Sequence, residues 1–313
     1  MPLSNERRNI IESLLDNESI KEMKELSNLI SERYVSLQNK NQLIIDENKL
    51  AKVYAVTRLA STYSAYEAAL KESLKYFKDE IKTVNDLGAG LASASIAISD
   101  HLQINKINLL EKSEAMINVG NTLINSLSLN DKLHYVNFDV IKDELEKADL
   151  VTSSYLLNEL DKSTRLEVIK KMWNSTNKMM LVVEPGTPNG FEVIKEVRDY
   201  VISLGGYILA PCPHMDSCPY DWCHFSSRIN RTKLEKYLKG GESPYEDEKY
   251  SYIAFSKVDY GRSTGRILRH PLINNGYVEA EVCDKNGINK IKITKKDKEK
   301  YKKIRKSGEG DEY

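Results

Sequence analysis

Hydrophobic positions along this chain follow three successive patterns. Between residues 5 and 80 they recur at helical spacing: Ile10, Ile11, Leu14 and Leu15, then Leu26, Leu29 and Ile30. Apolar residues three and four apart share one helix face, and no two-residue alternation interrupts them, so this region is expected to be helical. Ser19, with Glu22 three residues on, reads as a capping box that opens the second helix.

From residue 81 short apolar runs take over: TVNDLG (83–88), INLLE (107–111), LHYVNF (133–138), DLVTSS (149–154) and MMLVVE (179–184). Each has the length of a strand, and segments of helix length separate them at 91–99, 113–127, 161–174 and 191–204. The last carries Ile194, Val197, Val201 and Leu204 at helical spacing and stops at Gly205 and Gly206, as a glycine-terminated helix does. Strands alternating with helices predict βαβ units, hence an α/β fold with a parallel sheet covered on both faces. YILAP (207–211) and YSYIAFSK (250–257) read as two further strands. After 258 a two-residue alternation appears in GYVEAEVCD (276–284) and KIKIT (290–294), followed by a lysine-rich, helical end. The expected division is a helical extension (1–80), an α/β domain (81–258) with a cysteine-rich loop at 211–231, and a small C-terminal β module with a basic tail (259–313).

Composition changes this picture little. A chain of 313 residues, 41% hydrophobic and 29% charged, has the makings of a globular protein with a sizeable core. Its 46 basic and 46 acidic residues cancel, so any attraction to a polyanion must be local. No uninterrupted apolar run is long enough to predict a membrane span. The opening MPLSNERRNIIESLLDNES mixes acids with its apolar residues and lacks the apolar core of a signal peptide. The expectation is a cytoplasmic monomer with no membrane partner, in a reducing compartment where clustered thiols bind metal or act chemically more often than they pair.

Two stretches carry candidate chemistry. VNDLGAGLASAS (84–95) lies between a predicted strand and helix, where Gly88 and Gly90 permit a tight turn and close approach of a ligand to the backbone. A dinucleotide site would place a third glycine at 93, which is Ser, and would favour a hydrophobic residue where Asp86 stands. Asp86 suits a cofactor with an ammonium and a sulfonium, which points to S-adenosylmethionine (SAM). Glu111, about twenty residues on at the end of the next strand, could accept both ribose hydroxyls, and Asp139 the adenine amino group. Ser154 and Asn158 would lie near the methyl group. The place after the fourth strand reads SSYLLNEL (153–160), without the paired-proline clamp of nucleobase amine methylation, and no cysteine lies nearby to serve as a nucleophile. A class I SAM-methyltransferase fold, Rossmann-like and doubly wound, is therefore better supported than methyl transfer itself.

The second stretch is PCPHMDSCPYDWCHF (211–225), which holds three of the chain's four cysteines: Cys212, Cys218 and Cys223, with Cys283 far downstream. Four thiolates suit Zn²⁺ or an iron–sulfur cluster. There is no C-x2-C knuckle, and the loose spacing broken by Pro211, Pro213 and Pro219 fits a bulky cluster in a wide loop. His214 or His224 could replace a cysteine if Cys283 lay elsewhere.

Several stretches together resemble one family. They are YAVTRLASTYSAYEAAL (54–70), DLGAG (86–90), SYLLNEL (154–160), VVEPGTPNGF (182–191), APCPHMDSCPYDWCHFSSRINR (210–231) and RHPLINNGYVEAEVC (269–283). The family is the methyltransferase-like proteins of the small ribosomal subunit, whose mitochondrial members are assembly factors of that subunit. Over roughly 50–306 the chain is similar to bacterial and archaeal relatives of those factors. The resemblance implies a SAM-binding domain, a [4Fe–4S] cluster on Cys212, Cys218, Cys223 and Cys283, and association with small-subunit ribosomal RNA during assembly. The chain departs from the family at Ser61, where a proline is usual nearby, at Ala92, where a third glycine is common, and in lacking a tryptophan near its end.

For RNA, the candidate surface joins Arg228 and Arg231 beside the cysteines to Arg262, Arg266, Arg269 and the lysines from Lys290 onward. Tyr220, Trp222, Phe225 and Tyr260 are interleaved as stacking faces. Two function classes stay open: a non-catalytic, rRNA-binding assembly factor with a [4Fe–4S] cluster, and an active SAM-dependent rRNA methyltransferase with a structural zinc site.

Overall fold

The computed structural model describes residues 3–36, 44–220 and 222–313. The expected helical stretch includes 37–43 and the cysteine-rich loop includes Asp221, and these lie outside the described residues. Three helices come first: α1 (Asn5–Ser13), α2 (Ile20–Ser36) and α3 (Asn48–Leu74). Ser19 caps α2 by accepting from the Glu22 N–H at 3.5 Å. The 27-residue α3 is apolar around much of its circumference and is buried along nearly its whole length, at Val53, Leu59, Tyr66 and Leu70 among others. Such a helix belongs inside a protein, not on its surface. The Tyr66 hydroxyl meets Thr152 Oγ1 at 2.8 Å, which pins α3 to the sheet.

The sheet begins with β1 (Thr83–Leu87), α4 (Ser93–His101), β2 (Lys106–Glu111), α5 (Glu114–Ser126), β3 (Leu133–Asn137) and β4 (Ala148–Ser154). It continues through α6 (Lys162–Ser175), β5 (Thr176–Pro185), α7 (Pro188–Ser203), β6 (Tyr207–Ala210), β7 (Phe225–Asn230), α8 (Lys233–Lys239) and β8 (Tyr245–Ser256). Strand order is β3-β2-β1-β4-β5-β8-β6, with β7 also on β8. Strands β1–β5 are parallel, and β8 runs antiparallel between β5 and β6. This is the class I SAM-methyltransferase topology, as expected from the alternating pattern. The central strands β1, β4 and β5 are largely buried because helices cover both faces, whereas β3 at the edge buries only Leu133. One core lies under α3, α4 and α5, and the other under α6 and α7.

Besides β5, the 12-residue β8 serves two partners: Tyr245–Tyr250 pairs with β7, and Ala254–Ser256 with β6. Between β6 and β7 hangs the cysteine-rich loop. FSSRIN falls within the expected cysteine-rich loop (211–231) but forms β7; its alternation is short and polar, with only Phe225 and Ile229 buried. Helix α8 was also missed, although Thr232 and Glu235 form a complete capping box there.

A second sheet holds β9 (Gly265–Ile267), β10 (Leu272–Asn274), β11 (Tyr277–Asp284) and β12 (Gly287–Thr294), and α9 (Lys298–Lys306) follows it. Tyr301 and Ile304 of α9 close a small core on Ile267, Val278 and Val282. No helix among the described residues is long and apolar enough to cross a membrane.

Candidate functional site

Two cavities open beyond the carboxyl ends of parallel strands. The first, of about 140 Å³, follows β1, β2, β3 and β4. The chain turns out of β1 through three left-handed residues, Gly88 (φ 62°), Gly90 (φ 51°) and Ala92 (φ 63°). A side chain on Gly88 would strike Leu156, whereas Gly90 faces open space, so a ligand can reach the backbone there. Glu111 is held in place by three backbone N–H groups: Gly90 donates to Oε2 at 2.8 Å, and Lys112 and Ser113 donate to Oε1 at 2.9 and 2.8 Å. Burial still raises its pKa, because desolvation outweighs those bonds. Asp139 also lines this cavity; its carboxylate pairs with Lys112 Nζ at 3.0 Å and accepts from the Ile141 N–H. Burial opposes its charge, but these partners win and its pKa is lowered.

Of the residues expected to hold SAM, Gly88, Gly90, Glu111, Asp139 and Ser154 line this cavity. Asp86 and Asn158 are not on its wall. Asp86 is buried behind the glycine loop, where it accepts from Ser95 Oγ at 2.7 Å, and desolvation lifts its pKa to about 7. The expected ammonium contact therefore has no direct geometry, and Asp86 reads as a loop anchor. Asn158 is buried too; its N–H reaches Glu184, which also accepts from the Leu157 N–H.

The cavity also has aromatic walls that the glycine motif could not foretell. Tyr34 from α2 and Tyr54 from α3 stack with centroids 6.0 Å apart, and Phe138 and Tyr155 complete the enclosure. Tyr155 has φ 60°, and its hydroxyl donates to Glu248 at 3.0 Å. An adjoining smaller cavity of about 30 Å³ shares Tyr54, Gly88, Gly90, Ser154 and Tyr155 with the first.

The cysteine cavity follows β6. Cys212, Cys218 and Cys223 come from the β6–β7 loop and Cys283 from β11, and all four line one cavity of about 40 Å³ with mostly apolar walls. All four are free thiols. Burial and the neighbouring thiols Cys212 and Cys218 push the Cys283 thiol up to about 12. Cys223 is raised well above the ordinary range by the same causes, and Cys212 is raised chiefly by burial. His214 Nε2 stands 3.7 Å from Cys283 Sγ. Among the described residues no three Cys, His, Asp or Glu side chains are gathered tightly enough to hold a single metal ion. A lone zinc requires all its sulfurs within about 2.3 Å of one point, so the zinc alternative is not favoured.

Three arginines hold this loop by its carbonyl oxygens. Arg198 of α7 donates to His214 O at 3.3 Å and to Asp216 O, Arg266 of β9 to Pro211 O at 3.2 Å, and Arg269 to Trp222 O at 3.3 Å. Trp222 stacks on His224 with centroids 4.3 Å apart and donates from Nε1 to Gly186 O at 3.0 Å.

These bonds correct the expected RNA surface. Arg266 is 1% exposed and cannot touch RNA; it joins the loop to Glu72 of α3 and to Gly310 O. Arg231 is half-buried, its side chain turned onto Gly240 O and Glu246. Arg262 pairs with Asp259, and Arg269 is half-buried over Tyr220. Arg228 does face solvent, although it pairs with Asp247 and lies over Tyr245. Along the lysine-rich end, Lys290 and Lys292 of β12 and Lys298, Lys300, Lys302, Lys303, Arg305 and Lys306 of α9 are exposed.

Comparison with known proteins places these features in a family. The family profile described as mitochondrial small ribosomal subunit Rsm22 matches residues 48–313. The human mitochondrial ribosome assembly protein METTL17 is 24% identical over 265 residues, covering 76% of this chain and 56% of that protein. The chain thus spans little more than half of that relative's length. A carboxy-S-adenosyl-L-methionine synthase of Actinobacillus pleuropneumoniae is 20% identical over 217 residues, 68% of this chain and 86% of that protein. Among solved structures, a putative RNA methyltransferase from Pyrococcus horikoshii aligns with TM-score 0.43 and 16% identity, over 74% of this chain and 98% of that one. Magnesium protoporphyrin IX methyltransferase from Synechocystis, with SAM bound, aligns with TM-score 0.43 and 10% identity, over 82% and 100%. Because the matched profile spans the glycine loop and all four cysteines, the chain belongs to the Rsm22 family.

Proposed function

We propose that this chain is an assembly factor of the small ribosomal subunit that binds ribosomal RNA, with a SAM-holding fold as its body and a [4Fe–4S] cluster on Cys212, Cys218, Cys223 and Cys283. The observation that carries this reading is the meeting of four reduced cysteines, from two remote segments, around one apolar cavity. In a four-iron cluster each thiolate holds a different iron, so its sulfurs stand wider apart than around a single ion. The chemistry of the donors fits: thiols that burial keeps protonated are deprotonated by a cationic centre, which then gains their full charge. Such a centre would join the β6–β7 loop to β11 and so fasten the second sheet to the first, a structural role. The family description favours the small subunit as partner, and the name of the human relative favours a role in ribosome assembly.

The residues present fit SAM in part. Gly88 and Gly90 leave backbone accessible, Glu111 is rigidly aimed at the end of β2, and Asp139 lies beyond β3. When bound, SAM carries an electrophilic methyl group. What the chain itself offers is enclosure by Tyr54 and Tyr155, with no proline clamp and no thiol to activate an acceptor base. Holding the cofactor is therefore the better reading, and the presence of a formed cavity is what favours methyl transfer as the second.

The RNA-facing surface is best sought at Arg228 and at the lysines of β12 and α9, because phosphate contacts need exposed cations. The test is incubation of the chain with small-subunit precursor particles and labelled SAM, followed by mass spectrometry of the rRNA. Binding without methylation is expected. A chain-dependent methylated nucleotide moves the assignment to the second reading, and absence of binding overturns the first.

A further inference from the structure

The cysteine cavity contains a pair of cations that its ligand set does not call for. Arg198 and Arg266 both line it, at 2% and 1% exposure. Arg266 sits directly opposite Cys283 in the antiparallel β9–β11 register, so the two side chains share one face of the sheet. Its Nη1 pairs with Glu72 at 2.7 Å and its Nε donates to Pro211 O, whereas Nη2 is buried without an acceptor among the described residues. Arg198 pairs from Nη1 with Asp199 at 2.7 Å, and its buried Nε likewise lacks an acceptor among them. Asp199 is itself largely solvent-exposed, so its charge is screened. Burying guanidinium donors without partners is costly, and two on one cavity wall imply an occupant that accepts hydrogen bonds and carries negative charge.

Resting on the cluster reading above, we propose that Arg198 and Arg266 are the charge counterparts of the inorganic centre. Four thiolates exceed the charge of a [4Fe–4S]²⁺ core by two, and the two guanidinium groups offset part of that excess inside a water-poor cavity, since Arg266 shares its charge with Glu72 and Arg198 with exposed Asp199. Arg266 also bonds α3, the cysteine loop and the C-terminal segment at once, through Glu72, Pro211 O and Gly310 O. Occupancy of the site is therefore coupled to how firmly these three elements are joined.

The experiment compares the anaerobically purified wild type with Arg198→Met, Arg266→Met, Arg198→Lys and Arg266→Lys, and with Arg262→Met, which removes an arginine paired with exposed Asp259, as a control. Iron and sulfide content, the visible spectrum and the midpoint potential from redox titration are read for each. Loss of a positive charge makes adding an electron harder, so the Met variants are expected to show a more negative potential and faster loss of iron to a chelator. The Lys variants should keep both properties nearer the wild type, and Arg262→Met should match it. If the Met variants fold too poorly to retain iron, the Lys variants decide, since retained charge should retain the cluster. Met variants with wild-type potential and iron retention, or Lys variants that lose iron as fully as Met, overturn the inference alone. A wild type free of iron and sulfide overturns the reading of the site itself.

Discussion

The glycine-loop cavity and the cysteine cavity both open at the carboxyl edge of the sheet, yet they are assembled in opposite ways. The first is framed by consecutive βα turns and roofed by aromatic side chains from helices that precede the sheet. The second takes three cysteines from a single loop and draws its fourth from β11, sixty residues after Cys223 in the chain. In the first, the backbone forms the binding surface and side chains tune it. In the second, side chains are the binding surface, and backbone carbonyls are merely held by arginines. A ligand for the first can come and go between preformed walls, whereas an occupant of the second ties distant segments together.

This contrast predicts a hierarchy of effects. The largest should come from Cys283→Ser, which removes the one cysteine contributed by the second sheet. Iron should be lost and stability should drop by several kcal/mol, a modest share of the roughly 10–16 kcal/mol measured for structural zinc in small peptides. Thermal melting and limited proteolysis read this, and cleavage should concentrate within 259–313. Melting unchanged by the substitution would make the two cavities alike in being dispensable to the fold.

Next is Asp86→Asn. A carboxyl raised from 3.8 to about 7 by burial favours the folded state only while protonated. Its contribution is fully present below about pH 4, is lost as pH rises through about 7 and stays lost above, a span worth roughly 4 kcal/mol at most. Asparagine cannot ionise, so the variant should be more stable than the wild type at pH 8, and the gap should close below pH 4. Denaturant titrations at several pH values check the sign. A variant weaker at pH 8 would return Asp86 to a charged role at the cavity.

Ala92→Gly should be smaller. Ala92 holds φ 63° at the entrance to α4, a conformation that costs a residue with a side chain about 1 kcal/mol. Relief of that strain, partly offset by lost burial, should raise the melting temperature slightly and leave the cysteine cavity untouched. The smallest structural effect should come from Arg228→Ala, whose side chain is 61% exposed. Stability should hardly change, because an exposed ion pair is screened by solvent, while rRNA affinity falls and the salt dependence of binding flattens by about one phosphate contact. Full-strength, equally salt-sensitive binding would remove Arg228 from the interface.

The same contrast explains what the sequence disclosed. The alternating strands, the glycine turn and the cysteine spacing are local signals, and the fold class followed from them because parallel strands need apolar faces and crossover helices. The place of Glu111 and Asp139 at the cavity was legible because Glu111 ends β2 and Asp139 follows β3 closely. Asp86 was misread as a ligand contact because spacing alone does not say which side of a loop a carboxylate faces, and Ser95, nine residues on, claims it. Tyr34 and Tyr54 were invisible as cavity walls because their helices reach the site only through packing. Arg266 was the instructive error: grouped with Arg262, Arg269 and the lysine-rich end it suggested an RNA surface, but pairing of β9 with β11 turns it inward, opposite Cys283. Strand β7 escaped because its alternation is short and polar.

The most direct measurement is the iron and acid-labile sulfide content of the anaerobically purified chain, read with its visible spectrum. The account predicts a brown protein with about four irons and four sulfides per chain, all lost in Cys283→Ser. A colourless wild-type protein holding one zinc, or no metal at all, would contradict it.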